Sequence, residues 1–281
     1  MATSIPLLPQ LPAPSRHSQL ELDANVTSIG IGVTSLCNLA CPHCYSRHLQ
    51  PKSLSLDDIV LATSKFPRLR RVNFGTGESI LNKSFLAICD YLKNRRIAIG
   101  LTSNGLSVCE MTDDQLTQFN DIDISLDFPV AEIHDEWRAK SGTFAKAAEA
   151  LERCASLDLN LSIALCLMNH NYKYIPEFKK LVDRFSCFLR INLYKPVHGQ
   201  GFLMSYTEFW QAMDLLATNF ALVSNSEPIL SLVIPDSIGS TPCGNSVRLN
   251  PDMTISGCVY LHGATTSVSF AQPELDSLFH L

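Results

Sequence analysis

The chain lacks the features that would place it in or across a membrane. No apolar run among its 281 residues reaches the roughly 18–20 residues that span a bilayer. No basic region precedes an apolar segment at the N-terminus, so residues 1–25, which contain several prolines, predict a mobile arm rather than a signal peptide. Positive charge is not in excess either, since the formal net charge is −5, and this gives no support for nucleic-acid binding.

Cysteine, in contrast, is plentiful. Ten cysteines without a secretory signal indicate a reducing, cytoplasmic compartment rather than a disulfide framework. Hydrophobic residues make up 46% of the chain and charged residues 17%, which predicts a large buried core. Five cysteines lie within apolar helix or strand patterns and are expected to be ordinary core residues. They are Cys89, Cys109, Cys154, Cys166 and Cys187.

Short apolar runs alternate with helical patterns along residues 26–204, which predicts repeated βα units and a parallel α/β sheet. Strands are predicted at residues 27–34, 71–74, 98–102, 122–126, 161–167 and 188–194. Helices are predicted from residue 55 and at 83–93, 112–119, 143–157 and 175–185. Right-handed crossovers would curl six such strands into an open barrel, although an open doubly wound sheet gives a similar pattern.

The pattern changes near residue 205. A helix at 206–220 precedes short strands around 230–234 and 247–249. We therefore expect a small C-terminal extension, residues 205–281, packed on the open edge of the barrel. The predicted organisation is an arm at 1–25, a barrel at 26–204 and this extension.

Three cysteines on one short stretch are the most informative motif. Cys37, Cys41 and Cys44 are separated by three residues and then by two. A structural zinc ion needs four protein ligands, whereas a 4Fe–4S cluster normally has one cysteine for each of its four irons. Three thiolates without an obvious fourth indicate a cluster with one iron left open. A zinc site completed by His43 or His48 is the alternative.

This CxxxCxxC spacing resembles the signature of the radical S-adenosylmethionine (SAM) superfamily. The resemblance implies a 4Fe–4S cluster on Cys37, Cys41 and Cys44, with SAM chelating the open iron. It places His43, just before the third cysteine, near the adenine of SAM, and it implies a partial (β/α)6 TIM-like barrel. The implied chemistry is reductive cleavage of SAM to a 5′-deoxyadenosyl radical, which abstracts a hydrogen atom from a substrate.

A glycine-containing turn follows the second predicted strand. Its sequence, Gly75-Thr76-Gly77-Glu78, resembles the "GGE" element that holds the ammonium group of SAM in this superfamily. Thr76 replaces the usual middle glycine. Because many βα loops contain glycines, a purely structural turn is the alternative.

The third and fourth predicted strands also end in polar residues. Ser103-Asn104 resembles the family's "TNG" turn near bound SAM, although a left-handed Asn-Gly turn would require the same sequence. Ser125 and Asp127 resemble the "SLDG" strand end, whose serine contacts SAM. Phe128 stands where that motif has glycine.

Arg138 lies in a segment that resembles the family's "H…R…G-x-F" pattern, and a guanidinium suits the carboxylate of SAM. The alternative is a surface arginine that pairs with Asp135 or Glu136. His134 in the same segment is expected to be structural.

Arg190, Asn192 and Lys195 lie on or just after the sixth predicted strand. Polar groups inside a barrel are costly unless they meet a ligand or each other. These side chains are therefore either contacts to substrate or SAM, or members of a buried structural network.

Cys243 and Cys258 flank a hairpin that resembles the start of the SPASM or twitch extension of peptide-modifying radical SAM enzymes. The resemblance implies that they help to bind a second iron–sulfur cluster. No cysteine follows Cys258, so a hairpin without metal is the alternative.

The resemblance as a whole implies an oxidoreductase that matures a ribosomally made precursor peptide by crosslinking, epimerisation or excision. Its implied partners are the precursor, a separate leader-binding protein and an electron donor such as flavodoxin or ferredoxin. One alternative is a small-molecule radical SAM dehydrogenase or cofactor-biosynthesis enzyme. Another is a non-catalytic metal-binding partner protein, against which Glu78, Ser125 and Arg138 argue.

Overall fold

A computed structural model describes residues 26–221, 223–225, 246–256 and 268–269. The predicted arm at 1–25 and the predicted strand around 230–234 lie outside the described residues, as do Cys243 and Cys258. Within the described part of the chain, no helix is long and apolar enough to cross a membrane.

The described strands form one sheet in the order β10-β9-β8-β1-β2-β3-β4-β5-β6-β7. They are β1 (Ser28–Ile31), β2 (Arg71–Phe74), β3 (Ala98–Ser103), β4 (Asp121–Ser125), β5 (Leu161–Leu167), β6 (Phe188–Leu193), β7 (Ser224–Asn225), β8 (Ser246–Leu249), β9 (Thr254–Ser256) and β10 (Val268–Ser269). Strands β1 to β6 are parallel and adjacent in chain order. A doubly wound sheet reverses its order at a switch point, so the sequential order identifies an open, partial (β/α)6 barrel and confirms that prediction.

Helices connect the parallel strands. They are α1 (Leu56–Ser64), α2 (Phe85–Asn94), α3 (Leu106–Glu110), α4 (Asp113–Leu116), α5 (Ala131–Trp137), α6 (Thr143–Ser156) and α7 (Ile175–Phe185), and α8 (Tyr206–Asn219) follows β6. Capping boxes begin α1 at Ser55, α4 at Thr112 and α8 at Ser205, because each hydroxyl accepts from the third helical amide. The short helices α3 and α5 are absent from the sequence prediction.

The two faces of the barrel sheet differ in polarity. In β4, Ile122 and Ile124 pack in the core under the helices, while Asp121, Asp123 and Ser125 alternate with them and face the barrel interior. In the other parallel strands the same alternation points buried aliphatic and aromatic side chains away from the barrel interior, towards the helices. The barrel therefore has an apolar shell of helices around a polar interior.

A network of polar groups closes the floor of this interior. Arg71 donates from Nε to Oδ1 of Asn73 at 2.9 Å and pairs with Asp121. Gly100 leaves the space for them, because a Cβ atom there would stand 2.7 Å from the Oδ1 atoms of Asn73 and Asp121. The charge of Asp121 is thus paired within the protein, although the Arg71 side chain is 37% exposed.

The segment after residue 204 contributes to both edges of the sheet. Strand β7 pairs with β6, and β8 pairs in parallel with β1. Strands β8, β9 and β10 then follow as an antiparallel run. The boundaries predicted for the three regions stay predictions.

Candidate active site

A cavity of about 360 Å³ opens at the carboxyl ends of the parallel strands, within the size range of small-molecule sites. Every predicted site residue in the described part of the chain lines it. They are Cys37, Cys41, His43, Cys44, Gly75, Thr76, Gly77, Glu78, Ser103, Asn104, Ser125, Arg138 and Asn192. Residues drawn from several βα loops therefore meet in one place, as a cofactor site requires.

The three motif thiols lie on the loop that follows β1, and none forms a disulfide. Polar groups from other loops face two of them. Asn104 points Nδ2 at Sγ of Cys37, and Arg138 points Nη1 at Sγ of Cys41, both at 3.7 Å. These donors would stabilise negative charge on the sulfur atoms.

Burial raises the pKa of the Cys37 thiol to about 11 and also raises the pKa of the Cys41 thiol. For Cys41 the positive charge of Arg138 opposes this rise. Without metal both thiols are therefore protonated at neutral pH. Metal binding must displace those protons, as is usual for thiolate sites.

The histidines proposed for a zinc site have other contacts. His43 accepts at Nδ1 from Nε1 of Trp137 at 2.8 Å, and burial lowers the pKa of His43 to about 4. His48 packs edge-on against His198 at a centroid distance of 4.7 Å. Among the described residues, no three histidine, cysteine or acidic side chains could share one metal ion. Three separate thiols beside an open cavity fit a cluster, whose irons each take one cysteine, better than a single zinc ion.

Glu78 holds two βα turns together. Its buried carboxylate accepts from Oγ of Ser103 at 2.6 Å, from N of Asn104 at 2.9 Å, and from both N (2.9 Å) and Oγ of Ser107. All four donors come from the end of β3, the turn after it and the start of α3. Contact between Glu78 and the ammonium group of SAM stays a prediction. The structure shows a second role for Glu78, which is to hold the two turns together.

The turn at Gly77 contacts the cysteine loop directly. Gly77 has a φ of +61°, and a Cβ atom there would lie 2.3 Å from the carbonyl oxygen of Leu36. The next amide, of Glu78, donates to that same oxygen at 2.7 Å. Glycine is therefore required both for its backbone conformation and for the close approach to the loop.

We expect Gly77→Ala to lower the free energy of unfolding by about 3 kcal/mol or more, because left-handed strain and overpacking add. Gly142→Ala is the matched control, since Gly142 has a φ of +80° but nothing within 4 Å of its missing Cβ. It should cost only about 1 kcal/mol. Urea unfolding of the metal-free protein, followed by circular dichroism, measures both, and equal losses would contradict the role of the loop contact.

Arg138 is not a surface residue, so its predicted alternative pairing with Asp135 or Glu136 is wrong. It is buried and pairs with Asp127, with 2.6 Å between Nη2 and Oδ2. Asp135 instead accepts from two backbone amides at the start of α6. Contact between Arg138 and the carboxylate of SAM stays a prediction. The guanidinium already has one carboxylate partner, Asp127.

Asp127 is the anionic centre of this buried group. Burial alone would raise the pKa of Asp127, but Arg138 beside it holds the pKa below its usual range. The backbone amide of Asp127 donates to Nδ1 of His134 at 3.2 Å, and the amide of Cys166 donates to Oδ1. His134 thus has the structural contact expected for it.

The predicted residues on β6 lie where the barrel interior meets the cavity. Arg190, Asn192 and Lys195 all line it. Arg190 donates from Nη1 to Oδ2 of Asp123 at 2.8 Å, so it is part of an ion pair and also faces the cavity. Asp123 is a site residue that the sequence analysis did not identify.

Tyr45 and Arg248 were also missed. The hydroxyl of Tyr45 lies 2.7 Å from Oγ1 of Thr76, and Arg248 on β8 donates from Nη2 to that hydroxyl and to the carbonyl of Gly75. An isolated arginine within the apolar strand predicted at 247–249 was the available signal for Arg248.

Comparison with known proteins agrees with the motifs. A family model described as the radical SAM superfamily matches residues 31–182. The mycofactocin maturase MftC of Mycobacterium ulcerans is 31% identical over 176 residues, which are 60% of this chain and 47% of that protein. MftC of Mycobacterium tuberculosis is 29% identical over 234 residues, which are 78% of this chain and 58% of that protein. The chain thus spans about half the length of the curated relatives it matches.

Solved structures share the fold. The crystal structure of Streptococcus suis SuiB bound to S-adenosylmethionine superposes with a TM-score of 0.71, covering 92% of this chain and 67% of that one at 13% identity. At this identity the likeness concerns the fold alone. The family model, in contrast, covers more than half of the sequence, and the chain therefore belongs to the radical SAM superfamily.

Proposed function

We propose that this protein is a radical SAM enzyme that acts on a ribosomally made precursor peptide. The observation that carries the enzymatic part is the single cavity in which the CxxxCxxC thiols meet the Gly75–Glu78 turn and the ends of β3 to β6. An open coordination position beside a ligand-sized cavity suits a reactive site and not a structural one.

The names of the similar proteins support a peptide substrate. Four of the curated relatives are mycofactocin maturases, and SuiB was also crystallised with its precursor peptide SuiA. A separate leader-binding protein and a flavodoxin or ferredoxin as reductant belong to the same proposal. A small-molecule radical SAM enzyme is the second candidate, since one similar protein is a probable GTP 3′,8-cyclase of Methanocaldococcus jannaschii.

In this proposal Cys37, Cys41 and Cys44 hold a 4Fe–4S cluster, and the Gly75–Glu78 turn with Ser103, Asn104 and Ser125 holds SAM. The pair of cofactors supplies one-electron cleavage of SAM and hence hydrogen-atom abstraction. Glu78 fixes the distance between the two SAM-binding turns through its four donors. Asn104 and Arg138 donate towards the sulfur atoms of Cys37 and Cys41 and would stabilise their charge once these are cluster-bound thiolates.

Aromatic side chains form a wall on one side of the cysteine loop. Trp137 stacks on His43 and packs edge-on against Phe128 and Phe202. His43 accepts from Trp137 and is neutral at physiological pH, so it adds no charge to this wall.

Anaerobic reconstitution with iron and sulfide tests the enzymatic part. We expect about four irons per chain if one cluster is present, and 5′-deoxyadenosine after addition of SAM and dithionite. Bound zinc, or no 5′-deoxyadenosine, would favour the metal-binding partner protein instead. Mass spectrometry of candidate precursor peptides after the same incubation then tests the substrate, and turnover of a free metabolite alone would favour the small-molecule enzyme.

A further inference from the structure

Arg248 is a buried cation that the proposed mechanism does not use. It is only 6% exposed and lines the same cavity as the cysteines. Its Nη2 atom donates to the carbonyl oxygen of Gly75 at 2.7 Å and to the hydroxyl of Tyr45 at 3.2 Å. The guanidinium also lies 5.9 Å from the centroid of the Tyr45 ring, and its Nε atom has no hydrogen-bond partner.

The other arginines that line this cavity have acidic partners. Arg138 pairs with Asp127, and Arg190 pairs with Asp123. In the part of the chain that the structure describes, no carboxylate pairs with Arg248, and both of its hydrogen-bond acceptors are uncharged. A buried charge is costly unless an opposite charge or a ligand compensates it.

The wall of the barrel is shaped to accept this guanidinium. A Cβ atom on Gly30 would lie 3.2 Å from Nη1 of Arg248, and one on Gly32 would lie 3.1 Å from Nη2. Because both residues are glycines, the guanidinium can lie close against β1, beside the turn at Gly75. The guanidinium of Arg248 therefore packs against the backbone at Gly30 and Gly32.

Arg248 lies outside the segment that the family model covers, residues 31–182. The cofactor is common to the superfamily, whereas substrates differ among its members. Because Arg248 comes from outside the matched segment, we assign it to the substrate, and the test below includes the carboxylate of SAM as the competing outcome. Nη2 of Arg248 already donates to two acceptors, so the N–H groups of Nη1, which have no acceptor among the described residues, are left to donate to a carboxylate oxygen.

We propose that Arg248 binds a carboxylate group of the substrate, which under the proposed function is the C-terminus or an acidic side chain of a peptide. This inference rests on the proposed peptide substrate and adds the chemical group by which the peptide is recognised. The carboxylate supplies the negative charge that the described residues around Arg248 lack.

The test compares peptide pools on the reconstituted full chain under anaerobic conditions. Three hexapeptide pools with an N-terminal dansyl label, which carries no carboxylate, are used: one with a free C-terminus and no acidic residues, one with glutamate and an amidated C-terminus, and one with neither carboxylate. Fluorescence anisotropy should show at least about tenfold tighter binding of one carboxylate pool over the neutral pool. Arg248→Gln should remove that preference, Arg248→Lys should keep part of it, and the exposed Arg184→Gln should leave it intact.

Equal preference in the wild-type protein and Arg248→Gln would overturn the inference. A second result would also overturn it: Arg248→Gln loses affinity for SAM but not for decarboxylated SAM, and keeps the peptide preference. Arg248 would then bind the carboxylate of the cofactor. If Arg248→Gln does not fold, the test compares the wild-type protein with Arg248→Lys. The inference is then overturned if the wild-type protein shows no preference for a carboxylate pool. Iron content and 5′-deoxyadenosine formation by the wild-type protein are measured in parallel, so failure of the proposed enzymatic function is recognised separately.

Discussion

The triple variant Cys37→Ala/Cys41→Ala/Cys44→Ala is expected to form no 5′-deoxyadenosine from SAM. The three thiols are the protein ligands available to a cluster on the loop after β1, and they line the cavity beside the Gly75–Glu78 turn. Without them the irons have no thiolate ligands at this site, so the loss should be complete rather than partial. After anaerobic reconstitution, iron analysis measures the metal content and chromatography of the SAM reaction measures 5′-deoxyadenosine.

A second triple variant controls for the removal of three thiols. Cys89→Ala/Cys109→Ala/Cys154→Ala removes cysteines that lie on α2, α3 and α6, and none of them lines the cavity. It should keep both the iron and the SAM cleavage of the wild-type protein. Wild-type cleavage in the motif variant would contradict the cluster assignment.

The iron content of the motif variant also tests the C-terminal cysteines. About four irons that persist in it, without cleavage of SAM, would indicate a second cluster on Cys243 and Cys258. Loss of all iron would favour the alternative, a hairpin without metal. Both cysteines lie outside the described residues, so this measurement addresses a prediction made from sequence alone.

Much of the barrel could be predicted from local sequence because strand and helix patterns agree with the fold. The bounds predicted for β2, β5 and α7 are those of the structure. The helices α3 and α5 were missed for a physical reason. They span five and seven residues, too few to display a helical period, and contacts from other loops hold them in place. Glu78, for example, accepts from the amide and hydroxyl of Ser107 at the start of α3.

The residues of the site could be listed from motifs, but their partners could not. The sequence placed Arg138 near the site, yet it favoured neighbouring acids as the alternative partners and did not identify Asp127, which lies across the loop. Arg248 reaches Gly75 from a strand far along the chain, and no local pattern encodes that contact. Pairings of this kind depend on the register of the sheet, which follows from the whole fold.

We expect Arg138→Gln to lower the free energy of unfolding by about 3–5 kcal/mol, because it leaves the carboxylate of Asp127 buried without its cation. Asp127 is fully buried, and the side chain of Arg138 is 9% exposed. Arg184→Gln is the matched control, since Arg184 and Glu152 form a pair in which both side chains are more than half exposed. The control should cost no more than about 1 kcal/mol. Urea unfolding of the metal-free proteins measures both.

The pH dependence of this loss separates an electrostatic cause from lost packing. Arg138 holds the pKa of Asp127 below its usual value, so the pair contributes its full stability above the unfolded pKa, about 3.9, and loses it as pH falls through the folded pKa. In Arg138→Gln burial instead favours protonated Asp127. The difference between wild-type protein and variant should therefore be largest at neutral pH and shrink as pH falls towards 4. A difference that stays constant from pH 7 to pH 4 would mean that the packing of the Arg138 side chain, and not its charge, stabilises this part of the site.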